Sequence, residues 1–120
     1  MGITKVTTRI SNLSKSGEPY ETEFMVDTGS IDCMAPTSAL RQAGIAKEWK
    51  SVYELANGTI VEYDVGFARV AFMGEETVTQ IIFGPEATEP LLGVVALENL
   101  GIIVDPVSRT LKRLAAKPLK

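Results

Sequence analysis

The sequence predicts a mostly β protein, a small closed β-barrel carrying one or two short helices. Three observations predict it. Short segments rich in β-branched and aromatic residues recur along the chain, turn signals separate them at short intervals, and only "PTSALRQAG" and "VALENL" carry helix start and stop signals. At 120 residues, with 45% hydrophobic and 22% charged side chains, the chain is long enough for one sizeable core and short for two. Residues 1–120 therefore read as a single domain.

Each element follows in order. "ITKVTTRIS" is a strand by its β-branched content, "NLSKSGEP" is turn material, and Tyr20–Val26 alternates before becoming continuously apolar, as a strand does on entering a core. It stops on a carboxylate, Asp27. "PTSALRQAG" is a helix with Pro36 near its first turn, Thr37 or Ser38 available as a cap, and Gly44 placed to stop it. "YELANGTIVEYDV" splits around Asn57-Gly58, a strong hairpin signal whose two-residue form needs positive φ at both central positions. A second hairpin, "GFARVAFMGEETVTQIIFG", turns at "MGEE" and is ended by Gly84-Pro85. "VALENL" is a short helix closed by Gly101, and "GIIVDPVSRTLKR" is a last strand pair in which Asp105 is a turn residue. An apolar strand, a glycine and a short helix ending in glycine occur twice, around "FMVDTGS…PTSALRQAG" and "PLLGVVALENLG", which suggests two similar half-domains. Only the first carries the acid.

Missing residue types exclude whole classes of chemistry. Without histidine the chain cannot build a Ser-His-Asp or Cys-His site, or a histidine-bearing zinc site. The single cysteine, Cys33, excludes an internal disulfide and reads as a small buried hydrophobe. No cofactor and no metal are expected. A net charge of −3 argues against nucleic acid, and the basic run Arg109, Lys112, Arg113, Lys117 and Lys120 reads as a solvated strand edge and tail. The apolar stretches are too short for a membrane span, and "MGITKVTTRISNL" lacks the apolar region of a signal peptide, so a cytoplasmic protein without membrane contact is the expectation.

Asp27 asks for a reason, because a charge at the end of a buried strand is costly unless it is hydrogen-bonded. A turn-capping acid is the bland reason and catalysis the sharp one. In "DTGS", Gly29 lets the chain turn and lets another backbone or a substrate come close, while loop amides and the hydroxyls of Thr28 and Ser30 can hold the carboxylate. Such a loop both orients an acid and tunes it. Asp32, five residues on, reads as a loop acid with no reason to meet Asp27; Met25, Met34 and Trp49 read as packing residues.

"VDTGS" at 26–30, the "AP…SALRQAG" helix, the "ELANGTIVEY" hairpin and "PLLGVVALENLG", in that order, resemble the retroviral-like (retropepsin-like) aspartic proteases, in particular their bacterial single-domain relatives. The resemblance covers about residues 20–113. It implies that Asp27 is the catalytic aspartate, that the Thr28 hydroxyl ties two active-site loops together across a dimer, that Gly29 meets the bound peptide, and that the Ser30 hydroxyl supports the outer carboxylate oxygen. It also implies that Leu91, Leu92 and Gly93 pack behind the loop, with Leu91, Leu92 and Ile81 as apolar pocket walls. The hairpin tipped by Asn57 and Gly58 resembles the flap over substrate; Tyr53 and Tyr63 flank it, either pairing across the hairpin or reaching over substrate.

The implied activity is that of an aspartic endopeptidase acting on a peptide or protein. Two aspartates share a proton, one activating water and the other polarising the scissile carbonyl. One chain carries one such loop, so the second Asp27 would come from a second copy, in a homodimer. Two features depart from the viral pattern: the hairpin tip is Asn-Gly, not a glycine-rich run, and the chain continues past its last helix. They bear on flap closure and on the interleaved-termini interface, not on the loop. The rival readings are a catalytically inactive peptide-binding or dimerisation module on the same fold, and, further off, a metal-dependent hydrolase built on Asp27 and Asp32.

Overall fold

The structure, a computed structural model, describes residues 4–119. Nine strands and two helices follow one another as β1 (Lys5–Ser11), β2 (Tyr20–Val26), β3 (Cys33–Pro36), α1 (Thr37–Gln42), β4 (Trp49–Glu54), β5 (Ile60–Phe72), β6 (Glu75–Gly84), β7 (Leu91–Leu92), α2 (Val94–Asn99), β8 (Ile102–Val104) and β9 (Leu111–Arg113). The expected closed barrel is what forms. Its strands run β1-β2-β7-β3-β6-β5, and β5 returns to pair with β1 through Arg9–Ala71, Ile10–Val70 and Ser11–Arg69. β4 stands outside this ring, hydrogen-bonded to β5 alone, and β8 with β9 makes a separate two-stranded sheet.

Closure buries one face of every ring strand, so that Ile10, Phe24, Ala35, Val70, Ile81 and Leu92 meet in one core from which solvent is excluded. Leu40 of α1 and Leu97 of α2 join the same core. Two of the contacts in the ring are parallel, β2 with β7 and β3 with β6, and each lies where an apolar strand of one half of the chain meets the other half. β5 is continuous over 13 residues and serves both hairpins. Its first half pairs with β4, from Ile60 opposite Glu54 to Val65 opposite Trp49, and its second half with β6. Gly66 marks the crossover, where a Cβ would lie 2.1 Å from the carbonyl oxygen of Ala46.

Two local expectations change. The two-residue turn with positive φ at both positions occurs at Met73 (φ 54) and Gly74 (φ 79), between β5 and β6, and not at Asn57-Gly58. There the connection is longer: Leu55 pairs with Thr59, the Gly58 N–H donates to the Leu55 carbonyl at 2.8 Å, and only Gly58 (φ 86) is left-handed. This is a three-residue loop of the bulged kind, in which the Asn57 side chain accepts the Thr59 N–H instead of twisting its own backbone. The start of α1 is capped neither by Thr37 nor by Ser38. The Glu86 carboxylate takes the Ser38 N–H at 3.0 Å and its hydroxyl as well, while the Thr37 hydroxyl donates to the Gly84 carbonyl at 2.8 Å. Trp49 packs as expected, edge-on against Phe67, while staying 46% exposed. β7 falls on the apolar strand expected before Gly93, whereas the short β3 lies in a stretch that carried only loop and helix-start signals.

Arg109, Lys112, Arg113 and Lys117 of the basic run are exposed, as expected of a solvated edge and tail; Arg113 pairs with Glu75 at 2.7 Å and Lys117 donates to the Asn99 carbonyl at 2.9 Å, while Lys120 lies outside the described residues. Among the described residues no helix is long and apolar enough to cross a membrane.

Two predictions follow from the core. Adding a methyl group at the crossover, Gly66→Ala, forces the Ala46 carbonyl aside and should lower the urea midpoint by an amount equivalent to about 1–3 kcal/mol. At Cys33, burial pushes the thiol up to about 11. The folded thiol therefore keeps a proton that the unfolded one releases near its ordinary value of about 9, so stability falls as pH rises from about 9 to about 11. The loss is on the order of 2–3 kcal/mol. Urea unfolding at pH 8 and pH 10.5 should show this fall in the wild type and a smaller one in Cys33→Ala.

Candidate active site

β2 carries its apolar run to the edge of the core and delivers Asp27 half-buried at its end. Three backbone bonds shape the turn that follows. The Asp27 N–H donates to the Leu92 carbonyl at 3.0 Å, the Ser30 N–H donates to the Asp27 carbonyl at 3.1 Å, and the Gly29 N–H donates to Asp27 Oδ1 at 3.0 Å. Glycine suits this place because a Cβ at residue 29 would already lie 3.3 Å from that oxygen. Thr28 and Gly29 are exposed at the outer surface of the loop.

Behind the loop the chain leaves almost no free space. Leu91 and Leu92 pair with Met25 and Val26, and a Cβ on Gly93 would lie 2.5 Å from the backbone of Asp32. The first N–H groups of α2, which have no partner inside a helix, donate back to this segment: Val94 to the Ser30 carbonyl at 2.7 Å and Val95 to the Ile31 carbonyl at 3.2 Å. Ser30 does not support the Asp27 carboxylate. Its hydroxyl donates to the Asp32 carbonyl at 2.8 Å, because the turn points Oγ along the chain and leaves the Gly29 amide as the group that holds Asp27.

A cavity of about 560 Å³ opens between this loop and the β4–β5 hairpin, with Asp27, Ile31, Met34, Tyr63, Ile82 and Leu91 among its walls. Leu91 stands where the resemblance put it, but Leu92 and Ile81 are fully buried in the core. Strand alternation turns Ile82, the next residue, toward the cavity instead. On the hairpin side the lining comes from Val52 to Ala56; Asn57 and Gly58 lie beyond it. Glu54 is the other carboxylate of the lining and is exposed. A larger cavity, about 870 Å³, lies apart from the loop under the C-terminal segment near Leu114 and Pro118.

The residue that sequence reasoning missed is Asp32. It is only 8% exposed, and its Oδ2 accepts the Tyr53 hydroxyl at 2.7 Å and the Gln80 amide Nε2 at 2.9 Å. Gln80 Nε2 also donates to the Tyr53 oxygen at 3.2 Å, closing a triangle. Burial raises the Tyr53 hydroxyl above its ordinary range, and its bond to Asp32 adds to the effect. Tyr53 therefore points into the body of the protein, with its ring 6.2 Å from that of Tyr63. Asp32 and Asp27 do not form a joint site: Asp32 Oδ2 is turned to Tyr53 and Gln80, and among the described residues no group of three or more carboxylates or thiols stands together as a metal site would require.

No protein-family model and no curated protein sequence matches the chain. Solved structures do. The EIAV protease, complexed with an inhibitor, is similar over 83% of this chain and 89% of its own, with a TM-score of 0.63 and 16% identity. A retropepsin-like aspartic protease from Rickettsia conorii covers 87% of this chain and 77% of its own, with a TM-score of 0.60 and 20% identity. The simian foamy virus (mac) protease covers 78% and 91%, with a TM-score of 0.55 and 12% identity. Likeness at such identities speaks to the path of the backbone: the chain has the closed β-barrel fold of the retropepsin-like aspartic proteases.

Proposed function

We propose that the protein is an aspartic endopeptidase of the bacterial single-domain, retropepsin-like kind, hydrolysing peptide bonds with a water activated between Asp27 of two copies of the chain. The observation that carries this reading is the presentation of Asp27. Its carboxylate lines a cavity of about 560 Å³, one oxygen is held by a backbone amide, and the Thr28 beside it is exposed. A half-buried Asp27 followed by an exposed Thr28 at the end of a strand suits a loop completed by its own copy.

The chemistry needs no other group. Two carboxylates within hydrogen-bond distance cannot both ionise cheaply, so they hold one proton between them. The ionised one takes a proton from water as the water oxygen bonds to the carbonyl carbon, and the protonated one donates to the carbonyl oxygen. The tetrahedral intermediate then collapses: the C–N bond breaks as the departing nitrogen takes a proton from one carboxyl, and the other carboxylate takes the proton of a gem-diol hydroxyl as the carbonyl re-forms, which restores the one-proton dyad. In this reading Gly29 offers backbone to the substrate, Leu91 and Ile82 receive apolar side chains, Thr28 joins the two loops, and the hairpin covers the cleft. The fold of the viral and Rickettsia conorii neighbours supports the assignment.

Asp27→Asn removes the shared proton without changing the size of the side chain. It should melt at nearly the wild-type temperature and lose roughly 10²–10⁴-fold in cleavage of a peptide library followed by mass spectrometry. Excess Asp27→Asn chains mixed with wild type should suppress its activity by forming pairs with one aspartate. Full activity of the variant contradicts the proposal. A wild type that binds peptides without cutting them points instead to an inactive binding module.

A further inference from the structure

We infer that Asp32 is a positioning residue, which fixes the stem of the β4–β5 hairpin to the active-site segment through Tyr53 and Gln80 and thereby sets the width of the cleft above Asp27. The inference rests on the protease reading for its consequence, though not for its geometry.

A buried carboxylate is an expensive way to fill space, and removing one partner of such a group is costlier than replacing the whole cluster by apolar side chains. Its cost is offset here by two donors from distant parts of the chain, 21 and 48 residues away. What the triangle joins is informative. Asp32 belongs to the segment that runs from the Asp27 turn into β3, Tyr53 to β4, and Gln80 to β6. β4 lies outside the barrel ring and has a ladder on one edge only. A strand attached in this way pivots about its partner unless a side chain ties it to the body of the barrel. Tyr53 is that tie. Among the described residues, no hydrogen bond joins residues 54–61 to anything outside the hairpin itself.

Asp32 is also a rigid point of attachment. Ser30 holds its carbonyl, Gly93 packs against its backbone with no room for a methyl group, and the next residue, Cys33, is buried. The same segment carries Asp27 at its other end. The wall formed by Val52 and Tyr53 is therefore registered directly to the turn that presents Asp27, and bending of the hairpin is confined to its outer part, beyond Tyr53. Asp32 acts on the cleft through Tyr53, without itself reaching the reacting atoms.

Amide hydrogen exchange on the full chain, with no substrate present, tests the anchor. In Tyr53→Phe, which keeps the ring and removes the hydroxyl, amides of residues 49–61 should exchange about tenfold faster, while those of β1, β2 and β6 keep their wild-type rates. Asp32→Asn, whose side-chain oxygen can still accept from Tyr53, should fall between wild type and Tyr53→Phe. In peptide cleavage, Tyr53→Phe should raise KM several-fold with a smaller change in kcat, and Asp32→Asn should recover part of it. Unchanged exchange in the hairpin, or faster exchange spread evenly over the barrel, overturns the inference. Wild-type inactivity toward peptides counts against the protease reading alone, since the exchange comparison decides the anchor either way.

Discussion

A strand of two residues holds this molecule together. Leu91 and Leu92 lie between β2 and β3, parallel to the first and antiparallel to the second, and without them the ring of strands is open. Their ladder continues on both sides of the strand. The Pro90 carbonyl accepts the Met25 N–H, the Leu92 carbonyl accepts the Asp27 N–H, and the first amides of α2 donate to the carbonyls of Ser30 and Ile31. Burying Leu92 alone contributes about 2–3 kcal/mol, but its larger effect is geometric. It gives the Asp27 turn a floor that cannot move independently of the core.

From that floor the cleft divides into a loop side and a hairpin side. The first is the loop from Asp27 to Asp32, wedged between β7 and α2 with Gly93 at the point of closest approach. The second is the hairpin, with apolar residues such as Val52 and Ile60 exposed along it. Under the proposed reading these exposed apolar side chains meet a peptide or the second copy. The Asp32 triangle sits at the junction of the two sides.

Much of this was legible in the sequence because it depended on local pattern. The β2 strand, the turn residues after it and both helices are written in consecutive residues, and the barrel follows from strand content and spacing. What was not legible depended on contacts between distant residues. Asp32 looked like any loop acid because Tyr53 and Gln80 are far away in the chain. Glu86 replaced Thr37 and Ser38 at the start of α1 for the same reason, since a carboxylate carried in from another loop outcompetes a hydroxyl already used by Gly84. The choice between Ile81 and Ile82 turned on strand phase, which a continuous apolar run does not reveal. Met73 adopts the left-handed conformation that the Asn-Gly pair was expected to adopt, because the tight register of Phe72 opposite Glu75 demands it.

The claim on which the functional account depends is that one working site is built from two chains. Titration with a non-cleavable peptide that carries a hydroxyethylene group in place of the scissile bond, followed by calorimetry, measures this directly. The account predicts saturation at one inhibitor for every two chains, with no binding to a chain kept monomeric by dilution. Saturation at one inhibitor per chain, retained at dilutions where sedimentation shows only monomer, would contradict it and direct attention to Glu54 as the second acid of a site within one chain.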